Sequence, residues 1–181
     1  MPTAERIPES LIASNINRAV QDVFKTMLRR GAVPVESERG HDATPWPPIS
    51  MRRRPEIPLI VGMVGFIGDV GGFTYVYFEE PFAKQCVGSM LGVSHEEAAA
   101  LSEADIKDAI GELTNMIVGS FKNGLCDSGF PCKLTIPSIL IGCDFCVVPT
   151  STAERYIYVF DCGGNRLVAD ILMEADEQSS R

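Results

Sequence analysis

Residues 102–125 read SEADIKDAIGELTNMIVGSFKNGL, and this stretch predicts a long amphipathic helix. Ser102 is a favourable N-cap residue, and Asp105 three positions later completes a capping-box pair. Asn123 and Gly124 predict the end of the helix, because glycine readily adopts the left-handed backbone conformation that terminates helices. Apolar residues recur at steps of three and four and predict one buried stripe: Ile106, Ile110, Leu113, Ile117 and Phe121.

The opposite face of this helix carries polar and small residues. At about 100° per residue, Asp108, Glu112, Asn115 and Gly119 lie within roughly 60° of one another. The carboxylate of Glu112 and the carboxamide of Asn115 therefore lie side by side. From spacing alone, the more ordinary interpretation is that both are solvated surface positions. Gly111 and Gly119 each cost about 1 kcal/mol relative to alanine, which indicates close approach by a packed neighbour or a docking partner.

The composition describes an acidic chain with enough apolar residues for a core. Its 181 residues are 45% hydrophobic, which predicts one globular domain. A net charge of −8 argues against nucleic acid or an anionic membrane as the main partner. No run is long and apolar enough to span a bilayer, and the N-terminus lacks the apolar centre of a signal peptide. We therefore expect a cytoplasmic protein.

Cysteine and histidine spacing gives only a weak metal signal. Cys143 and Cys146 form a single C-x2-C, whereas a zinc site needs two more ligands. His41 and His95 lie far from this pair in the sequence, and His95 fits an exposed position in a first helical turn. We expect reduced thiols and no metal site, with a metal or redox role for the pair as the alternative.

Periodicity and turn residues predict the remaining elements. An amphipathic helix spans 14–30 and is closed by Gly31, and a helix at 81–91 ends at Gly92 before a short helical turn begun by Ser94. The predicted strands are 33–38, 59–67, 73–78, 133–141, 145–148, 155–160 and 167–173. The second and third form one hairpin, and the last two form another across Gly163, Gly164 and Asn165.

This order of elements predicts an α+β fold, a mainly antiparallel sheet with two to three helices packed on one face. Each half reads as a helix followed by strands, which hints at a degenerate internal repeat. One domain spans 14–174, with a proline- and arginine-rich insertion at 31–58. Tails precede and follow it at 1–13 and 175–181.

Residues 108–122, DAIGELTNMIVGSFK, resemble the D-x-x-x-E-x-x-N signature of the CheC/CheX/FliY family of chemotaxis phosphatases. Three further segments are similar to the CheX branch: NINRAVQDVFKTML at 15–28, the hairpin GMVGFIGDVGGFTYVYF at 62–78, and LTIPSILIG at 134–142 with its Pro137. The resemblance implies the pseudo-twofold architecture of CheX and CheC. The first helix carries no E-x-x-N, so a single site of the CheX type is implied.

The resemblance also implies a reaction, hydrolysis of the aspartyl phosphate on a CheY-like receiver domain. Asn115 would orient the attacking water, and Glu112 would pair with the lysine beside the receiver's phosphorylation site. Asp108 and Gly119 would contribute to partner binding. The resemblance implies Mg²⁺ on the receiver, no cofactor of the chain's own, and a homodimer paired through its sheets. The alternative is a non-catalytic CheX-like module that docks a receiver or a flagellar component.

Overall fold

The computed structural model describes residues 7–40, 56–143, 147–148 and 153–174. Within these residues the chain forms four α-helices and seven β-strands. The helices are α1 (Glu9–Val23), α2 (Glu80–Leu91), α3 (His95–Ala99) and α4 (Glu103–Asp127). The strands are β1 (Val33–Gly40), β2 (Leu59–Gly68), β3 (Gly72–Glu79), β4 (Cys132–Leu134), β5 (Ser138–Gly142), β6 (Ala153–Asp161) and β7 (Arg166–Glu174).

The strands form one antiparallel sheet in the order β1–β6–β7–β3–β2–β4, and β5 pairs with β2 along the same edge as β4. The order has a pseudo-twofold pattern about the central pair of β3 and β7. Strand β1 of the first half pairs with β6 of the second, and β4 and β5 of the second half pair with β2 of the first. The predicted α+β class and pseudo-twofold architecture are therefore confirmed.

The main hydrophobic core lies between the sheet and the helices. Every second residue along the strands points to the helices, and these residues, such as Ile60, Phe78 and Phe160, pack against side chains from α1, α2 and α4. All five residues of the predicted α4 stripe are at most 3% exposed. The hairpins, α2 with Gly92 in the left-handed conformation, and the short helix capped by Ser94 are all present as predicted.

Helix α4 extends beyond its predicted end. It continues to Asp127, and Gly124 is a buried residue inside it. A Cβ atom on Gly124 would lie 2.6 Å from Asn15 Cγ, so the glycine allows α1 to cross α4 closely. The chain leaves the helix at Gly129, which has a φ of +93°. The prediction of a helix end at Gly124 was wrong because this glycine makes room for a neighbouring helix.

Helix α1 differs from prediction at both ends. It begins at Glu9, and Ile7 and Ile12 are buried, so part of the segment assigned to an N-terminal tail belongs to the core. At the other end the helix widens into a π-turn, Phe24–Leu28. The N–H groups of Arg29 and Arg30 both donate to the carbonyl of Phe24, and Arg29 takes the left-handed conformation at φ 52°. The helix therefore closes before Gly31.

The predicted strand at 133–141 is two strands, because Pro137 interrupts it and has no N–H to donate. The three residues between β4 and β5, Thr135 to Pro137, form what we call the β4–β5 elbow. Thr135 holds the elbow to β2: its N–H donates to the Gly65 carbonyl (2.8 Å), and its Oγ1 accepts from the Gly65 N–H (2.9 Å). Of the predicted strand at 145–148, residues 145 and 146 lie outside the described part of the chain.

The sheet face opposite the helices contains a buried ion pair. Arg155 Nε and Nη2 donate to the two oxygens of Asp170 at 2.9 and 2.6 Å. Tyr77 donates its hydroxyl to Asp170 Oδ2 at 3.3 Å, and burial raises the pKa of that hydroxyl well above its usual value, so it stays protonated. These contacts join β3, β6 and β7 through side chains as well as backbone.

Helix α4 approaches β2 most closely where Thr114 meets Gly62. Thr114 is fully buried, and its Oγ1 donates to the Ile110 carbonyl at 2.7 Å. A Cβ atom on Gly62 would lie 2.6 Å from the Cβ of Thr114, a separation that real side chains do not tolerate. Only glycine at position 62 therefore allows α4 to pack at its observed distance from the sheet.

Gly62→Ala is expected to lower the free energy of unfolding by about 1–3 kcal/mol, because the added methyl group overpacks the interface between α4 and β2. The control is Gly111→Ala in α4, where the nearest atom to the new Cβ would be Ile139 Cδ1 at 3.9 Å. We expect this control to be neutral or to stabilise by up to about 1 kcal/mol. Urea unfolding of the three proteins checks the prediction, which is contradicted if both variants behave alike.

Candidate functional site

The residues singled out by the sequence lie together on the outer face of α4. Asp108, Glu112 and Asn115 are exposed, and Gly119 is partly exposed. Glu112 and Asn115 are three residues apart on a continuous helix, so their side chains project from adjacent positions. The structure thus brings the four residues to one surface, while their roles stay predictions.

The start of α4 is fixed by its own capping residues. Ser102 Oγ accepts from the Asp105 N–H at 3.2 Å, and Asp105 Oδ2 accepts from the Ser102 N–H at 3.3 Å, which is the predicted capping box. Glu103, the first residue of the helix, forms an ion pair with Lys107 one turn on, and the hydrogen bond from Lys107 lowers the pKa of the Glu103 carboxyl. The helix that carries the candidate site is therefore well defined from its first residue.

Glu112 and Asn115 make no hydrogen bond or ion pair with any other residue in the described part of the chain. Both side chains project from the outer surface of a helix. Two shallow cavities of about 410 and 400 Å³ lie elsewhere, one lined by Gln21 and Lys25 and the other by Lys84 and His95 among others. Small metabolites bind in enclosed clefts, whereas an open helix face with unengaged polar side chains suits a protein partner.

A Cβ atom would fit at either of the two glycines on this part of α4. A Cβ on Gly111 would come no closer than 3.9 Å to Ile139 Cδ1, and one on Gly119 would come no closer than 3.9 Å to Leu134 Cδ1. Both separations are ordinary van der Waals contacts. A packed neighbour among the described residues therefore does not explain these two glycines.

An apolar residue that the sequence analysis did not single out lies in the β4–β5 elbow, between two strands that contact α4. Ile136 in the β4–β5 elbow is 87% exposed, the highest value for any large apolar side chain among the described residues. The signal for it was present in the sequence, because an isoleucine directly before Pro137 lies where the strand pairing is interrupted. Its exposure itself depends on the tertiary arrangement.

The alternative hypothesis that the cysteines bind a metal ion finds no support in the described residues. These contain no group of three or more His, Cys, Asp and Glu side chains placed to hold a metal ion. Cys143 is a free, exposed thiol, and Cys146 lies outside the described part of the chain. His95 is exposed in the first turn of α3, as predicted. No helix in the described ranges is both long and apolar enough to cross a membrane.

Comparison with known protein families gives a match to the part of the chain that contains α4. A family model described as chemotaxis phosphatase CheX matches residues 60–161, which is more than half of the chain and includes all of α4. No curated protein sequence matches the chain significantly.

Several solved structures share the fold. A CheC-like superfamily protein from Shewanella sp. PV-4 is 22% identical with a TM-score of 0.74, covering 93% of this chain and 100% of its own. The chemotaxis protein CheX from Desulfovibrio desulfuricans is 22% identical with a TM-score of 0.72, covering 90% and 99%. A chain from the CheX–CheY–BeF3–Mg²⁺ complex of Borrelia burgdorferi is 17% identical with a TM-score of 0.65, covering 93% and 99%.

Proposed function

The chain belongs to the CheX family of chemotaxis phosphatases, and we propose that it hydrolyses the aspartyl phosphate of a CheY-like receiver domain. The observation that carries the proposal is the pairing of Glu112 and Asn115 on an exposed helix face where neither is engaged by another described residue. The similar fold in a CheX–CheY complex supports the choice of partner.

Hydrolysis of an acyl phosphate requires little chemistry from the catalyst. A water molecule attacks phosphorus in line with the bond to the aspartyl oxygen, that bond breaks, and inorganic phosphate and a free aspartate carboxylate result. Because the acyl phosphate is already reactive, the main requirement is to position the water. The Asn115 carboxamide fits this role, since its oxygen accepts a hydrogen bond from the water while its NH₂ group donates to a phosphate oxygen.

Glu112 is proposed to align the two proteins. An exposed carboxylate is a poor base for this reaction, but it forms a charge-assisted hydrogen bond with an ammonium group. Paired with the lysine beside the receiver's phosphorylation site, it would fix the register in which Asn115 meets the phosphate. Asp108 and Gly119 lie on the same face and are proposed to border the contact, with Gly119 leaving room for the partner.

The proposal needs no cofactor on this chain. Any Mg²⁺ would belong to the phosphorylated receiver, where acidic side chains and phosphate oxygens are the ligands that this ion prefers. A cytoplasmic location is part of the proposal, because receivers of this kind are phosphorylated inside the cell.

Asn115→Ala is expected to slow dephosphorylation of the receiver by about 100-fold, because the water loses its positioning group. Binding to the receiver should change little. The measurement is release of inorganic phosphate from a phosphorylated receiver, with Asn123→Ala as a control for an exposed asparagine eight residues further along α4. The control is expected to match the wild type.

Two outcomes would count against this proposal. If the wild-type protein accelerates dephosphorylation of no receiver from the same organism, the phosphatase assignment is wrong. If it binds a receiver without turnover, and Asn115→Ala binds equally well, the non-catalytic docking module is the correct description.

Glu112→Gln is expected to raise the KM for the phosphorylated receiver about tenfold with a smaller change in kcat, because a charged contact is lost while the shape is kept. The dependence of KM on ionic strength should also weaken, since screening acts on the lost charge pair. Asp127→Asn, at the exposed end of the same helix, is the control. An unchanged KM for Glu112→Gln would contradict the proposed pairing with lysine.

We also propose a homodimer paired through the sheet edges. The edge strand β1, at the end of the sheet away from the β4–β5 elbow, carries Val33 and Val35, which are 58% and 49% exposed. Light scattering is expected to give twice the monomer mass of 19.7 kDa, falling toward that mass on dilution. A mass of one chain at every concentration would contradict the dimer.

A further inference from the structure

The β4–β5 elbow runs past the turn of α4 that carries Asn115. At one end of the elbow Leu134 lies next to Gly119, and at the other Ile139 lies next to Gly111. Asn115 is midway between these two glycines, one helical turn from each. The elbow is therefore alongside Asn115, on the sheet side of the exposed face.

Ile136 projects from this elbow with 87% of its surface exposed. Exposing an isoleucine to water is unfavourable, but a single exposed isoleucine is common on protein surfaces and does not by itself indicate a binding site. Ile136 is distinguished by its position, because it borders a face whose two central polar side chains are free of other described residues. A protein that presents a phosphate to Asn115 approaches the side of α4 against which both ends of the elbow pack.

The elbow is a rigid support. Thr135 makes two hydrogen bonds with Gly65 of β2, and Pro137 restricts the backbone on the other side of Ile136. Strands β4 and β5 hold the two ends of the elbow in the sheet. Because the backbone on both sides of Ile136 is held, little backbone freedom is lost when a partner covers the side chain, which favours its use as a binding contact.

We propose that Ile136 is an apolar anchor for the receiver domain, inserted into a hydrophobic part of the receiver's surface next to its phosphorylation site. This inference rests on the proposed phosphatase function. The docking face then has three zones side by side: an acidic zone with Asp108 and Glu112, the carboxamide of Asn115 in the middle, and an apolar zone at Ile136. Glu112 sets the register, Asn115 positions water, and Ile136 supplies affinity.

The position of Ile136 favours a receiver over a second copy of this chain as the occupant. A second copy seated on the elbow would crowd the approach to Asn115, whereas a receiver that reaches Asn115 covers the elbow as part of the same contact. The polarity of the zones agrees with this choice, because a lysine beside the phosphorylated aspartate complements the acidic zone. A small ligand would find only an open surface here.

The test compares Ile136→Ala with Ile67→Ala. Ile67 in β2 is 68% exposed. Because side chains alternate along a strand and Gly62 faces α4, Ile67 lies on the sheet face away from α4. It is therefore a matched control for the loss of an exposed isoleucine. Ile136→Ala is expected to raise the KM for the phosphorylated receiver about tenfold, with kcat unchanged within twofold. Ile67→Ala should leave both constants unchanged. Urea unfolding should be the same for all three proteins.

A binding measurement with a receiver activated by beryllium fluoride separates this inference from the proposed function. Weaker binding by Ile136→Ala supports the anchor, whether or not the wild type turns over substrate. If the wild type is active and Ile136→Ala keeps the wild-type KM and affinity, the anchor is wrong and the phosphatase assignment stands. If Ile136→Ala instead alters the oligomeric mass without weakening receiver binding, a second copy occupies the elbow and the proposal is overturned.

Discussion

The arrangement of the molecule depends on the contact between Thr114 of α4 and Gly62 of β2. Because position 62 has no side chain, the helix backbone approaches the strand closely enough for the threonine to be fully buried. This contact and the apolar stripe fix the rotation of α4 about its own axis. With the stripe turned to the core, Glu112 and Asn115 can only face outward. The candidate site is thus a consequence of how the helix packs.

The pseudo-twofold architecture supplies two long helices, but the chain presents a candidate site on only one of them. Helix α1 lacks the E-x-x-N pattern, and its Asn15 is 6% exposed because it lies at the crossing with Gly124 of α4. Arg18 donates to Asn15 Oδ1 at 3.3 Å, which engages the side-chain oxygen within the chain. An asparagine used in helix packing is not available to a partner. Asn15 of α1 therefore serves helix packing, whereas Asn115 of α4 is exposed.

A phosphatase of the proposed kind depends on positioning more than on reactive groups, and the fold is suited to that. The sheet beneath α4 is braced on its far side by the buried pair of Arg155 and Asp170. Such a pair is costly to break, since either partner alone would be left charged in the interior. On the near side, Thr135 ties the elbow to β2. The helix and the elbow that border Asn115 are both held by the same rigid sheet.

The sequence alone determined the elements whose pattern is local: the capping box at Ser102, the stripe of α4, both hairpins and the outward face with Glu112 and Asn115. The tertiary structure decided the features that depend on contacts between separate segments of the chain. Glycine has the same backbone freedom at a helix end and at a helix crossing, so only the position of Asn15 shows that Gly124 is a crossing residue. For the same reason, no periodicity reveals the exposure of Ile136, because it depends on how the β4–β5 elbow packs against β2 and α4.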